Sequence, residues 1–476
     1  MKTFYKITLV FLVVISSSCT SFSKPPAGYT IKVKVKGVKS NATCYLGFYL
    51  GDKQYMKDTA KADSEGNFTF EGKEPLPGGI YMVVLPGDMT FDIMVSGTEN
   101  NFSLETDTSD LVGFMKVQNS EENTIFYDYQ IFMDAKFYDL DSLNFFLSKA
   151  TNKSDSDVLQ QKIAAITTEI TDNRNNIIKN HPKLFLTAIL KASLPVILPK
   201  DMQSKPDSVK LLYNKNHFFD NIDLTDDRLA RTPSPVFEAK IDEFIHKAVM
   251  QVPDSVNKEA DALIVKTKGS KENFRFIVWY ITTSYENSKM MGTDAVFVHM
   301  VENYYMTKKA YWVDATTLNK MTQKALILKP LLIGKPAPEI LLQDTTGTDH
   351  ALKDVKAKYT LVYFWDPHCD HCQKETPLLY KVYEKYYNKG LEVYAVNLGH
   401  DMEAWKNYIK DHQLHWTNVY DAYNLKDLIK LYDISATPVI YLLDDKKRII
   451  AKKLNYQQID NILANEFNSK AGKSKP

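Results

Sequence analysis

Apolar and polar residues alternate along the chain from residue 29 onward: Ile31, Val33 and Val35 are interleaved with Lys32, Lys34 and Lys36, and Cys44, Leu46, Phe48 and Leu50 repeat the period. A period of two predicts strands with one buried face. Turn residues at Gly51-Asp52, Asp63-Ser64-Glu65-Gly66-Asn67, Gly78-Gly79 and Pro86-Gly87-Asp88 space these strands closely, so 28–118 is expected to be a small all-β domain, an antiparallel sandwich or partly closed barrel. Past residue 119 the period lengthens. Glycine-free stretches at 123–150 and 158–180, and sets such as Phe274, Ile277, Val278 and Ile281, predict an all-α domain over 119–330. Its aromatic stripes, Phe126, Tyr127, Phe132 and Phe137 among them, read as packing surface. Gly334-Lys335-Pro336-Ala337-Pro338 cannot continue a helix and opens a third domain, 333–468. There, strands at 359–365, 391–398, 416–420, 439–443 and 448–454 alternate with helices from about 372 to 388, at 402–412 and 424–432, and at the end. That order predicts a central sheet covered on both faces. Residues 469–476 read as a disordered tail.

The first nineteen residues set the compartment. Lys2 and Lys6 flank an apolar run, 7–15, that ends in Ser16, Ser17, Ser18 and Cys19, the pattern of an export signal. The run is far shorter than the roughly 20 residues a membrane-crossing helix needs. Small residues ending in cysteine resemble a bacterial lipobox, which implies lipidation of Cys19 and a membrane-anchored, periplasm-facing lipoprotein. Charge adds an exclusion: 59 basic against 58 acidic side chains leave no field to attract a phosphate backbone, so no nucleic-acid partner is expected. Only four cysteines occur, too few for a disulfide framework. Cys44 sits in an alternating stretch and reads as a small buried hydrophobe.

Cys369 and Cys372 are the only close pair, placed where the strand ending at Trp365 gives way to a helix. Unpaired N–H groups and the positive end of the helix dipole favour thiolate there. Cys369 is therefore the candidate nucleophile. Cys372, three residues deeper, can attack a mixed disulfide on Cys369 and resolve it. Trp365, Asp370 and His371 are candidates for tuning the redox poise: a protonated His371 stabilises the Cys369 thiolate, Asp370 opposes it, and His368 adds a second cation when protonated, which predicts a potential more oxidising than thioredoxin's.

Over roughly 333–467 this chain resembles the thioredoxin superfamily and, within it, the TlpA/ResA-like periplasmic oxidoreductases. The resemblance rests on the Cys369-Asp370-His371-Cys372 motif, the 334–338 entry, Pro377 inside the active-site helix and Thr437-Pro438 before a late strand. It implies a thioredoxin-like fold for the third domain, with a redox-active Cys369–Cys372 disulfide and no other cofactor. It also implies a cis Pro438 facing that disulfide, a Thr437 backbone that pairs with substrate, and Glu375 managing the proton of Cys372. A solvated Glu375 is the competing reading. Expected partners are periplasmic protein thiols and disulfides, the membrane through the lipid anchor, and a membrane or soluble dithiol that resets the pair. The domain order also resembles a group of Gram-negative redox lipoproteins.

Three other readings compete. A thiol peroxidase would share the fold, but its Pro-x-x-x-Thr/Ser-x-x-Cys pattern is missing, because Val362 and Asp366 stand at the required positions. Metal delivery would use His368, Cys369, His371 and Cys372, four ligands that cannot converge from one short stretch, so no metal is expected. The non-enzymatic reading is a lipid-anchored binding protein with a subordinate redox domain.

Overall fold

The computed structural model describes residues 28–51, 53–233, 236–421 and 428–471; the expected export signal with Cys19, and 472–476 of the expected tail, lie outside them. Internal contacts divide the chain into two units. One holds the described residues up to Tyr49 with Lys53–Thr187, the other 50–51 with the described residues from Ala188 onward. No helix among the described residues is long and apolar enough to cross a membrane.

The first unit begins with β1 (Tyr29–Lys36), β2 (Thr43–Leu50), β3 (Lys53–Lys61), β4 (Asn67–Gly72), β5 (Gly79–Val84), β6 (Thr90–Val95), β7 (Asn101–Asp107) and β8 (Lys116–Gln118). They form two four-stranded sheets, ordered β4-β1-β7-β8 and β3-β2-β5-β6. In β1 the alternation sorts the two faces: Ile31, Val33 and Val35 are buried while Lys32, Lys34 and Lys36 are exposed. β1 and β7 run parallel, which departs from the expected antiparallel order. Parallel neighbours need a long crossover, and the chain between these two supplies it by building the other sheet.

Two long helices follow, α1 (Glu121–Lys149) and α2 (Lys153–Asn180). Each starts at a polar cap: Ser120 Oγ accepts from the Asn123 N–H at 3.0 Å, and Asn152 Oδ1 from the Asp155 N–H at 2.8 Å. Only the base of α1 is buried. There the Asn123 amide exchanges two 2.8 Å hydrogen bonds with the backbone of Met94, and Glu122 accepts from the N–H groups of Phe185 and Leu186 at 2.9 and 3.0 Å. From 128 to 176 no residue is buried. Phe126 and Tyr127 therefore behave as packing residues, whereas Phe137 is 53% exposed.

Helix α3 (Phe185–Ala192) spans the division, and the second unit continues with α4 (Asp207–Asn216), α5 (Val236–Glu243), α6 (Pro253–Lys266), α7 (Lys271–Glu286), α8 (Asp294–Met300) and α9 (Ala315–Leu328). Then come β9 (Leu341–Asp344), β10 (Asp349–Ala351), β11 (Tyr359–Trp365), α10 (Asp370–Tyr386), β12 (Leu391–Asn397), α11 (Met402–Asp411), β13 (Thr417–Tyr420), α12 (Leu428–Leu431), β14 (Val439–Leu443), β15 (Ile449–Lys452) and α13 (Tyr456–Ala471). The sheet order is β10-β9-β13-β12-β11-β14-β15, with β11 parallel to β12 and antiparallel to β14. Every residue of β11 is buried, as a strand covered on both faces requires. Part of the helix expected at 424–432 falls outside the described residues, and α13 reaches Ala471, so the expected tail begins as helix.

Backbone pairing and a buried ion pair tie the helical segment to the sheet. The stretch after α9 runs along the outer edge of β15: Gly334 N–H donates to Ile449 O at 2.7 Å, Ile449 N–H to Lys335 O at 2.8 Å and Ala337 N–H to Lys447 O at 2.8 Å. Lys452, only 6% exposed, sends its ammonium to the Asp294 carboxylate at the start of α8 and to the Leu331 carbonyl at 2.7 Å. A lysine in a strand is ordinarily an exposed residue. This one is buried because two acceptors from the helical segment meet it.

Candidate active site

β11 ends at Trp365, and the chain turns through Asp366-Pro367-His368 into α10. The turn is tied by Asp366: its carboxylate accepts from the His368 N–H at 2.8 Å and its carbonyl from the Cys369 N–H at 3.1 Å. The helix starts at Asp370, two residues earlier than the sequence suggests, so Cys369 is itself the N-cap. Its sulfur accepts from the Cys372 N–H at 3.4 Å, the position in which a cap serine or aspartate would place an oxygen. The Cys369 thiol also reaches the Thr437 carbonyl at 3.4 Å, and the Thr437–Pro438 peptide is cis. Cys369 is half-buried and Cys372 wholly buried; both are free thiols.

These surroundings push the two thiols apart. Partial burial raises the Cys369 pKa. Hydrogen bonding with the Thr437 and Cys372 side chains and with the N–H groups of Cys372 and His371 outweighs that, holding it below the ordinary thiol value. Burial pushes Cys372 up to about 12, and its hydrogen bond to Cys369 adds to the shift. The sign for reactivity follows. Thiolate is the attacking form, so the Cys369 alkylation rate should rise to half its maximum at a pH below the roughly 8.5 of a free cysteine, whereas Cys372 should stay inert until near pH 12. Iodoacetamide labelling with peptide mapping across pH measures both, and labelling of Cys372 first would contradict the assignment.

Behind Cys372 lies a hydroxyl cluster that the sequence reading missed. Thr376 Oγ1 donates to the Cys372 carbonyl at 2.7 Å and lies 2.7 Å from the Tyr363 hydroxyl. Burial raises the Tyr363 pKa well above that of a free tyrosine, and the nearby Cys372 and Glu375 charges add to the shift. Two signals could have shown the cluster: Tyr363 shares a strand face with Trp365, and Thr376 lies one helical turn past Cys372. Tyr408 joins from α11. Pro377 has no N–H for the Gln373 carbonyl, and the Tyr408 hydroxyl donates to that oxygen at 3.5 Å. Trp365 is fully buried, stacked on Tyr363 at 6.0 Å between centroids and packed on Tyr408 at 5.2 Å.

Of the remaining candidates, His371, Glu375 and Pro438 line a cleft of about 470 Å³, with Lys374, Asp433, Ser435 and Lys453 among its other walls. Glu375 is half-buried, and its Oε1 accepts from the Tyr456 N–H at 2.5 Å, the first residue of α13. The carboxylate thus meets the positive end of a helix contributed from 81 residues away. No hydrogen bond between Glu375 and Cys372 occurs among the described residues. Asp370 and His371 are exposed, and His368 Nε2 lies 3.1 Å from Asp401 Oδ2.

Comparison with known proteins divides the chain in three. The AhpC/TSA family matches residues 333–452, and two domains of unknown function match 29–126 (DUF4369) and 149–328 (DUF5106). A thiol-disulfide oxidoreductase ResA of Bacillus cereus is 31% identical over 125 residues, 26% of this chain and 71% of that protein. ResA of Bacillus subtilis (strain 168) is 30% identical over 117 residues, 25% of this chain and 64% of that protein. Among solved structures, a domain of a possible thiol-disulfide isomerase from Cytophaga hutchinsonii ATCC 33406 is 46% identical, with 31% of this chain and 99% of that one covered at a TM-score of 0.28. Identity of 31% across 71% of a relative's length, joined to the family match over 333–452, makes this chain a member of the TlpA/ResA-like thiol-disulfide oxidoreductases.

Proposed function

We propose that the enzyme exchanges disulfides with protein substrates outside the cytoplasm through Cys369 and Cys372, with no cofactor beyond that pair. The observation that carries this reading is the placement of the pair: Cys369 caps α10, with its sulfur 3.4 Å from the Cys372 N–H and 3.4 Å from the carbonyl of the cis Thr437–Pro438 peptide. The Cys369 thiolate attacks a substrate disulfide, forming a mixed disulfide while the other substrate sulfur leaves as thiolate and takes up a proton. Cys372 then loses its proton and attacks Cys369 Sγ, expelling the second substrate sulfur. The substrate ends as a dithiol and the enzyme as a disulfide; the reverse sequence oxidises a dithiol.

Cys372 needs a proton acceptor for the second step, because a thiol with a pKa near 12 is almost wholly protonated at neutral pH. Glu375 is the carboxylate we assign to it, one turn along the helix and on the wall of the adjoining cleft. Thr437 and Pro438 form the substrate-facing side of the pair, and Asp370, His371 and Trp365 adjust its poise. Cys19 carries the lipid that holds the enzyme to the membrane on the periplasmic side, and a membrane or soluble dithiol partner resets the active site.

Equilibration of the purified protein with glutathione buffers, read by thiol trapping, tests this. A two-electron couple more oxidising than thioredoxin's roughly −270 mV is expected, since a stabilised Cys369 thiolate favours the reduced form. Failure to exchange with any dithiol would remove the reading, and a potential at or below thioredoxin's would remove the tuning role of His371.

A further inference from the structure

The outward face of α1 is built to receive another helix. Along the seam with α2, Phe132, Lys136, Leu140, Leu143 and Leu147 are half-buried, and Lys136 is ion-paired with Glu169. Opposite that seam runs a second stripe, Ile131, Ala135, Tyr138, Ser142 and Phe145, at alternating intervals of four and three residues, the spacing of a coiled-coil seam. Every member is exposed: Ile131 by 40%, Tyr138 by 78% and Phe145 by 60%, with Phe146 beside them at 56%. Large residues at one set of positions and small ones at the other leave holes at Ala135 and Ser142 for incoming side chains. An apolar stripe of this spacing on an otherwise solvated helix serves no purpose inside the hairpin, whose own seam is already occupied.

Charge selects the occupant. Asp134 and Asp141 flank the stripe on one side and Asp139 on the other, the positions that contact a partner helix across a seam, and all three are exposed. Asp128 continues the stripe one step toward the base. α1 carries six acidic residues (Glu121, Glu122, Asp128, Asp134, Asp139, Asp141) against two basic ones (Lys136, Lys149). Lys136 is turned toward α2, and Lys149 lies over the Phe145 ring at 5.9 Å, at the tip of the helix. A second copy of α1 would set aspartates against aspartates, and an anionic bilayer would meet the same repulsion. We propose that this face docks a basic amphipathic helix of another protein, with apolar residues at the seam positions and lysine or arginine at the flanks.

The test uses the full chain and two dye-labelled synthetic helical peptides of about four heptads. Both carry leucine at the seam; one carries lysine and the other glutamate at the flanks, and binding is read by fluorescence anisotropy. The lysine peptide should bind roughly tenfold or more tightly than the glutamate peptide, the sum of three exposed charge pairs. Asp134→Lys, Asp139→Lys and Asp141→Lys together should invert the preference. Tyr138→Glu with Phe145→Glu should abolish binding of both peptides while leaving far-ultraviolet circular dichroism unchanged, since both side chains are exposed. The proposal is overturned if neither peptide binds, or if the Tyr138/Phe145 variant binds as well as the parent. It is equally overturned if that variant converts a sedimenting dimer to monomer, or releases the chain from phosphatidylcholine vesicles; those results would assign the face to a second copy or to a lipid surface.

Discussion

Cys369→Ser should lower disulfide exchange by on the order of a thousandfold or more, while Cys372→Ala should leave the first attack intact and arrest the enzyme as a mixed disulfide with its substrate. The asymmetry follows from the geometry. Serine at the cap keeps a hydrogen bond to the Cys372 N–H but is not ionised at neutral pH, so fold and helix start survive while the nucleophile does not. Alanine at 372 removes the group that would resolve the intermediate. It also removes a hydrogen bond that favours the Cys369 thiolate, so the Cys369 pKa should rise in that variant. Ultraviolet thiolate absorbance and non-reducing gels of trapped adducts measure these two effects. Equal exchange rates for Cys369→Ser and the parent protein would show that the reaction does not start at Cys369.

Lys452→Ala should destabilise the second unit by about 3 kcal/mol, because it leaves the Asp294 carboxylate and the Leu331 carbonyl without their shared cation. Asp294 keeps some access to water, at 21% side-chain exposure, which places the loss toward the lower part of the range for a broken buried pair. Lys452→Met combined with Asp294→Ala should recover most of the loss, since the apolar stem is retained and no charge is left behind. Urea unfolding followed by tryptophan fluorescence gives the comparison, with the denaturant slope checked for constancy. A loss below about 1 kcal/mol for Lys452→Ala would mean that the pair contributes no more than a surface salt bridge. The next residue, Lys453, lines the active-site cleft, and its N–H donates to Ile440 O at 2.7 Å, so loosening β15 here should also disturb that wall.

What the sequence made legible was local. The apolar run at 361–365 pointed to a strand buried on both faces, and the paired cysteines after it marked the site. The helix start was misplaced by two residues because cysteine is not among the usual capping residues, and only the observed backbone shows its sulfur doing that task. The parallel pairing of β1 with β7 was out of reach, since a period of two identifies a strand but not its neighbour. Glu375 was undecided for a similar reason: its partner, the Tyr456 N–H, is remote in sequence. In α1, aromatic residues at helical spacing suggest packing, yet the same face carries Phe126, which is buried, and Phe137, which is not. Periodicity says that a face is apolar; it does not say whether the surface that covers it belongs to the same chain.

The strip 334–337 laid along β15 has a practical corollary. It occupies both backbone groups of Ile449 and the Lys447 carbonyl, at the start of a terminal strand that would otherwise be a template for another molecule's backbone. A shortened protein that begins after Pro338 would keep both thiols and the whole sheet but lose this sheath, and the uncovered border would favour edge-to-edge stacking into aggregates. Any attempt to isolate the catalytic portion should therefore start upstream of Gly334.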